Sequence, residues 1–160
     1  MGAPPVIRID RTGFSPARAR RQALDAIRST VRSFAWDIKR HMMADFRAPK
    51  HGRAYRRGGG RIHIASAPGE APAIDTGRLD ASLAVIFGSE TGGYWGSTGT
   101  DVIYGAYLEA GSPDTNLAKR PFAKPAADAV RQDFVDAIRA SVIAALNGES
   151  SPVVSVIPVG

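Results

Sequence analysis

Ser66-Ala-Pro-Gly-Glu-Ala-Pro-Ala-Ile-Asp-Thr-Gly-Arg-Leu-Asp-Ala-Ser82 constrains everything on either side of it. Pro68, Gly69 and Pro72 keep its first half extended, because each proline fixes its own φ and pushes the residue before it out of the α region. Its second half has the form of a helix start. Asp75 or Thr76 is placed to offer a side-chain oxygen to the free N–H groups of a first turn, which Arg78-Leu79-Asp80-Ala81-Ser82 then builds. The segment reads as a stiff loop locked onto a capped helical turn, with Ile74 and Leu79 as anchors into a core. On these residues alone, a capped turn between two secondary elements is a sufficient account.

Short strands flank the loop. Arg61-Ile62-His63-Ile64-Ala65 alternates on the way in, and Leu83 to Phe87 is a compact apolar run on the way out. Gly88 to Gly93 is rich in turn residues, and Tyr94-Trp95-Gly96-Ser97-Thr98 reads as the returning strand of a hairpin or meander. After Gly99, Val102 to Gly111 begins extended and ends in a short helical turn closed by Gly111, with Tyr104, Tyr107 and Leu108 on one face.

Two long helices enclose these strands. Ser15-Pro16 is a capping hydroxyl followed by proline at the first helical position. Leu24, Ile27, Val31, Phe34, Ile38 and Met42 then form one apolar stripe on a helix of about 30 residues that stops before Pro49. Such a length calls for a neighbour to cover it. A polar loop, Ser112 to Arg120, leads to Pro121-Phe122-Ala123-Lys124-Pro125, which opens a second helix running to Leu146 and ended by Asn147-Gly148. Its stripe is Val130, Phe134, Ile138, Val142 and Ala145. The expected fold is α+β, with two long helices packed on a short antiparallel β-sheet. An extended N-terminal arm (1–14) precedes a single domain (15–147), and an extended tail (148–160) follows it. Ser151-Pro-Val-Val-Ser-Val-Ile-Pro-Val-Gly160 is apolar and β-prone, the kind of tail that adds a strand to something else, often the next subunit of an assembly.

With 160 residues, 44% hydrophobic and 22% charged, the chain has the composition of one ordinary soluble domain. No apolar run is long enough to span a membrane, and the first residues lack the basic-then-apolar order of a secretory signal. There is no cysteine for a disulfide, a thiolate nucleophile or a thiolate metal site. The net charge of +6 is unevenly placed. Residues 47–61 carry Arg47, Lys50, Arg53, Arg56, Arg57 and Arg61 with no acid, whereas residues 62–160 carry eleven acids against six bases. A basic front and an acidic back suit stacking on copies of the same chain or on a charged partner.

Gly58-Gly59-Gly60 is too costly in backbone entropy for the interior of an element, so 47–61 reads as a mobile basic loop. It lacks the Gly-Lys-Ser/Thr ending of a phosphate-binding loop. A solvated hairpin tip, a contact for an acidic protein surface and a DNA-facing loop all remain open for its six cations. Nothing else points to chemistry. His41, His51 and His63 share no metal-ligand spacing. Glu70 and Asp75 make a poor catalytic pair, since Asp75 has a capping task and Glu70 sits between prolines. Ser82 has no histidine near it, and no serine lies in a Gly-x-Ser-x-Gly elbow. No catalytic, cofactor-binding or metal-binding residues are expected, and no enzyme.

Three stretches in this order carry a resemblance. They are Gly69 to Ser82, then Tyr104-Gly105-Ala106-Tyr107-Leu108-Glu109-Ala110-Gly111, then Arg120-Pro121-Phe122-Ala123-Lys124-Pro125-Ala126. Together they resemble the neck or tail-completion proteins of long-tailed bacteriophages and of phage-derived gene transfer particles, over residues 66–146. That family's pattern is a proline and a polar residue before Thr-Gly-Arg-Leu and a serine, then Tyr-x-Glu-x-Gly, then Arg-Pro-Phe with a second proline. Ala110 and Ala123 depart from it, standing where an aromatic and a leucine are common.

The resemblance implies a small, non-enzymatic α+β subunit of the virion neck, assembled in the bacterial cytoplasm. Copies would close into a ring, of six rather than twelve, between head-completion or adaptor proteins and the tail-tube or tail-terminator protein. Packaged DNA would pass through the lumen, and no membrane would be involved. It marks Pro72, Asp75, Thr76, Gly77, Arg78, Leu79, Tyr104, Tyr107, Glu109, Gly111, Arg120, Pro121, Phe122 and Pro125 as motif or subunit-interface residues, with Arg78 pairing an acid such as Glu109 within or across subunits. The alternative is a nucleic-acid-binding protein that uses loop 47–61.

Overall fold

The computed structural model describes residues 15–148, so the expected arm and all but the first residue of the tail lie outside the described residues. The first helix, α1, spans Pro16–Arg47, with Ser15 Oγ accepting from the Arg18 N–H at 3.4 Å and Pro16 in the first turn. The last helix, α4, spans Ala123–Leu146 and runs antiparallel to α1. Phe46 meets Phe122 at one end (ring centroids 5.2 Å apart), Phe34 meets Phe134 midway (5.3 Å), and the Thr30 and Ser141 hydroxyls approach to 3.4 Å further on. The face that α4 buries is Ala126, Val130, Ala137, Ser141, Ala144 and Ala145. Phe134, Ile138 and Val142, expected at its centre, are only half-buried. Steps of four residues drift around a helix of 3.6 residues per turn, and small side chains on the near face let the two backbones approach.

In place of one sheet there are two separate antiparallel hairpins. In the first, β1 (Ala54–Arg56) pairs with β2 (Ile62–Ile64), and Gly58–Gly60 forms a 3₁₀ turn at the tip. The expected loop 47–61 is therefore the last residue of α1, a short connection, one strand and the tip. In the second, β3 (Ala84–Glu90) pairs with β4 (Gly93–Gly99) around Thr91-Gly92. The turn expected over Gly88 to Gly93 is shorter because Gly88 stays in the ladder, where the Trp95 ring lies 2.4 Å from the place a Cβ would occupy.

The β3–β4 hairpin sits on α1. A Cβ at Gly96 would stand 3.0 Å from Ala35 Cβ and 3.3 Å from Val31 Cγ1, so only glycine lets strand and helix come this close. Thr98 Oγ1 donates to the Ala35 carbonyl at 2.6 Å, and Lys39 Nζ donates to the Leu83 carbonyl at 2.6 Å. Two short helices complete the fold. α2 is Arg78–Ser82, and α3 is Ile103–Ala110, already helical where an extended entry was expected. The larger core joins Met42 and Phe46 of α1 to Leu79, Leu83, Val102, Phe122 and Ala126, with Ile74 and Leu108 packed against it. No helix among the described residues is long and apolar enough to cross a membrane.

Candidate assembly interface

The loop before α2 holds its extended course through bonds to distant backbone. The Gly69 N–H donates to the Lys119 carbonyl at 2.8 Å, and Arg120 Nε donates to the Ser66 carbonyl at 3.2 Å. Glu70 folds its carboxylate back over the loop. It accepts from the Ala67 N–H at 2.7 Å and the His51 N–H at 3.2 Å, and lies 2.6 Å from His51 Nδ1. The Ala67 amide, then the His51 ring and amide, hold its pKa down at about 2. Glu70 thus ties the foot of the β1–β2 hairpin to the loop.

Asp75 is the second tie, paired with Arg57 near the hairpin tip, where the guanidinium also stacks 5.1 Å from the Tyr55 ring centroid. Its expected capping task is not performed. The residue at the N-cap of α2 is Gly77, with φ 76°, and no side chain caps the helix there; Thr76 Oγ1 only meets the Arg78 N–H at 3.4 Å. A left-handed residue at that point turns the chain directly into the helix, and glycine reaches that conformation at no steric cost.

Within the chain, the Glu109 carboxylate closes the start of α4. Its Oε2 accepts from the Phe122 N–H at 2.7 Å and the Ala123 N–H at 2.9 Å, and its Oε1 accepts from the Lys124 N–H at 3.0 Å. Phe122, at the N-cap of α4, offers no side-chain acceptor, so the first-turn amides of α4 take their acceptor from α3 instead. Glu109 is therefore not paired with Arg78 within the chain. The Arg120 N–H donates to the Leu108 carbonyl at 2.7 Å, and the Gly111 N–H to the Tyr107 carbonyl at 2.8 Å. Three stretches far apart in sequence are joined in this way around Phe122 and Leu79.

Those residues divide into two groups. Glu109, Gly111, Arg120 and Phe122 form a scaffold behind the site, while Pro121 is half-buried ahead of α4 and Pro125 is exposed in its first turn. Pro72, Asp75, Thr76, Gly77, Arg78, Leu79 and Tyr104 line a shallow pocket of about 350 Å³. A second hollow of about 500 Å³ adjoins it, lined by Arg78, Ser82, Ile103, Tyr104 and Tyr107 among others. Arg78 and Tyr104 border both hollows. Ile103 is 77% and Tyr107 53% exposed, so α3 turns an aromatic and aliphatic face outward. A patch of this make-up, rimmed by polar groups, has the character of a contact surface.

The six cations of 47–61 do not act as one set. Arg47 lies 3.8 Å from Asp80, Lys50 Nζ donates to the Asp45 carbonyl at 2.6 Å, and Arg57 is engaged by Asp75. Partial burial pulls the Lys50 pKa down, against the upward pull of Glu70 and Asp45. Arg53, Arg56 and Arg61 are exposed and form no ion pair among the described residues. The acidic back is also less open than its count suggests. On α4, Asp128 pairs with Lys124 and with Arg131 (3.3 Å), and Asp136 with Arg139 (3.3 Å), all at helical spacings of three or four.

Sequence reasoning passed over the apolar part of the first hairpin, where Ile62 is 70% and Ile64 47% exposed. The alternation Ile-His-Ile was the available signal, since it places both isoleucines on one face. No group of histidines and carboxylates among the described residues could hold a metal ion. No family model, curated protein or solved structure matches the chain.

Proposed function

We propose that this chain is a structural subunit of a long-tailed phage neck. It forms a homo-oligomeric ring that completes the tail end and joins it to the head-completion proteins, with DNA passing through the lumen, and it carries out no reaction. What carries the reading is the convergence of the three signature stretches. Residues 69–82, 104–111 and 120–126 meet around Phe122 and leave Arg78, Tyr104 and Tyr107 on one exposed patch. A closed ring of identical subunits needs one patch on each copy to meet a different patch on the next. The outward face of α3 and the projecting β1–β2 hairpin supply two unlike surfaces, one aromatic and one basic. Mass measurement of the purified protein across a range of concentrations tests this reading. A discrete ring-sized species is expected, and it is lost in Tyr107→Asp; a monomer at every concentration overturns the proposal.

A second reading is favoured by Arg53, Arg56 and Arg61, exposed on a protruding hairpin and without an ion pair among the described residues: nucleic-acid binding. Affinity of the isolated protein for DNA that falls steeply with salt supports it. Ring formation without measurable DNA affinity removes it.

A further inference from the structure

A groove of about 520 Å³ runs over α1 between β4 and α4. Val31, Ala35 and Ile38 line it from α1, and Ala127, Phe134 and Val135 line it from α4. Its β4 wall, Tyr94 to Gly96, has no strand on its outer side among the described residues, because β3 and β4 form a two-stranded sheet. Arg131 is the single charged residue in the lining.

We propose that residues 152–158 of the same chain occupy this groove as a third strand, parallel to β4. The inference is independent of the neck reading. Four observations favour this occupant. Gly148, the last described residue, takes the left-handed conformation that ends a helix (φ 75°), with its N–H bonded to the Ala145 carbonyl. The return distance suits the connection: Phe134 to Leu146 is about 18 Å of helix, and residues 147–152 extend to about 20 Å. Direction is the third. Leu83 lies at Lys39 and Phe87 at Arg32, so β3 runs against α1, β4 runs with it, and a chain returning along α4 runs parallel to β4. A parallel pair requires a long crossover, which α3 and α4 provide.

Composition is the fourth. Pro152-Val153-Val154-Ser155-Val156-Ile157-Pro158 carries no charge and reads as a near-continuous β-branched run. Such a run is apolar and β-prone, and it matches a lining in which Arg131 is the single charge. Prolines at both ends confine the hydrogen-bonded part to the residues between them.

The chain has no cysteine, so pairs introduced by mutation report without background. The parallel direction places Val153 near Val135 and Ile157 near Ala127. Mild oxidation should close disulfides within single chains in Val135→Cys/Val153→Cys and in Ala127→Cys/Ile157→Cys, and not in Val135→Cys/Ile157→Cys, because the Cα atoms must come within about 7 Å. Chains linked in pairs or ladders would assign the groove to a second copy and overturn the proposal. So would the reversed pairing pattern, or no disulfide in protein whose circular dichroism is unchanged. Hydrogen exchange without cysteine substitutions is the companion measurement. Removal of residues 149–160 should speed exchange of the Tyr94 and Gly96 amides, which face away from β3, by about tenfold or more, and unchanged rates overturn the proposal.

Discussion

The two hairpins have the same local architecture and are held in opposite ways. β3–β4 is held by shape: Gly96 lies against Ala35 and Val31, and Thr98 bonds the Ala35 carbonyl, with no ion pair joining the strands to α1. β1–β2 is held by charge, through Glu70 at its foot and Asp75 near its tip, while Ile62 and Ile64 stay in solvent. Close packing is insensitive to salt and pH and intolerant of added volume. Ionic ties on a part-exposed surface have the reverse sensitivities. One hairpin is thus a fixed part of the core layer, and the other is a projecting element whose seating depends on solution conditions.

The largest effect expected from this contrast is steric. Gly96→Val forces new methyl groups toward Ala35 and Val31 and should cost about 2 kcal/mol, read as a lower denaturant midpoint. The matching change in the other hairpin, Gly58→Ala, meets nothing within 4 Å and should stay within about 0.5 kcal/mol of the parent. Equal losses at the two sites would break the distinction between shape-held and charge-held hairpins.

The same contrast explains what the sequence made legible. The two helices and their ends could be read because caps, prolines and apolar steps act locally, and Ser15-Pro16 and Asn147-Gly148 lie where the chain starts and stops its helical runs. Ile74 and Leu79 were readable as anchors for the same reason, and both pack on the larger core. The roles of Glu109 and Asp75 were not readable. Each carboxylate is used by groups more than ten residues away, Glu109 by the first turn of α4 and Asp75 by Arg57, and no local rule names such a partner. The split into two sheets was hidden too, since alternation reports a strand but not its neighbour. Gly88 looked like a turn residue because its actual use, making room for the Trp95 ring across the ladder, is set by the opposite strand.

A smaller effect is expected at the hairpin tip. The Arg57 and Asp75 side chains are 49% and 33% exposed, and an ion pair so placed contributes under about 1 kcal/mol, further weakened by salt. Arg57→Ala should leave the global midpoint nearly unchanged while speeding amide exchange at Arg57, which bonds the Arg61 carbonyl across the tip. High salt applied to the parent protein should reproduce part of that change. A loss of several kcal/mol would show that the pair is structural to the whole domain and that the charge-held description is wrong.

The subtlest expected effect is a response to acid confined to one hairpin. Glu70 has a folded pKa of about 2, below the ordinary 4.5, because its charged form accepts two amide hydrogen bonds and the contact from the His51 ring. A lowered folded value means that the stabilisation is present in full above the ordinary value. It declines as pH falls below about 4.5 and is gone once pH passes below about 2. Over that window the amides of His51 and Ala67 should lose protection while those of Trp95 and Ser97, bonded to β3, keep theirs. Glu70→Gln should abolish the difference, since a neutral amide oxygen accepts more weakly and does not titrate. The amplitude is small because the group lies at the surface, so residue-resolved exchange is the suitable readout. Simultaneous loss of protection in both hairpins would mean that acid acts through the shared helix α1 rather than through the carboxylate that fastens β1 and β2 to the loop.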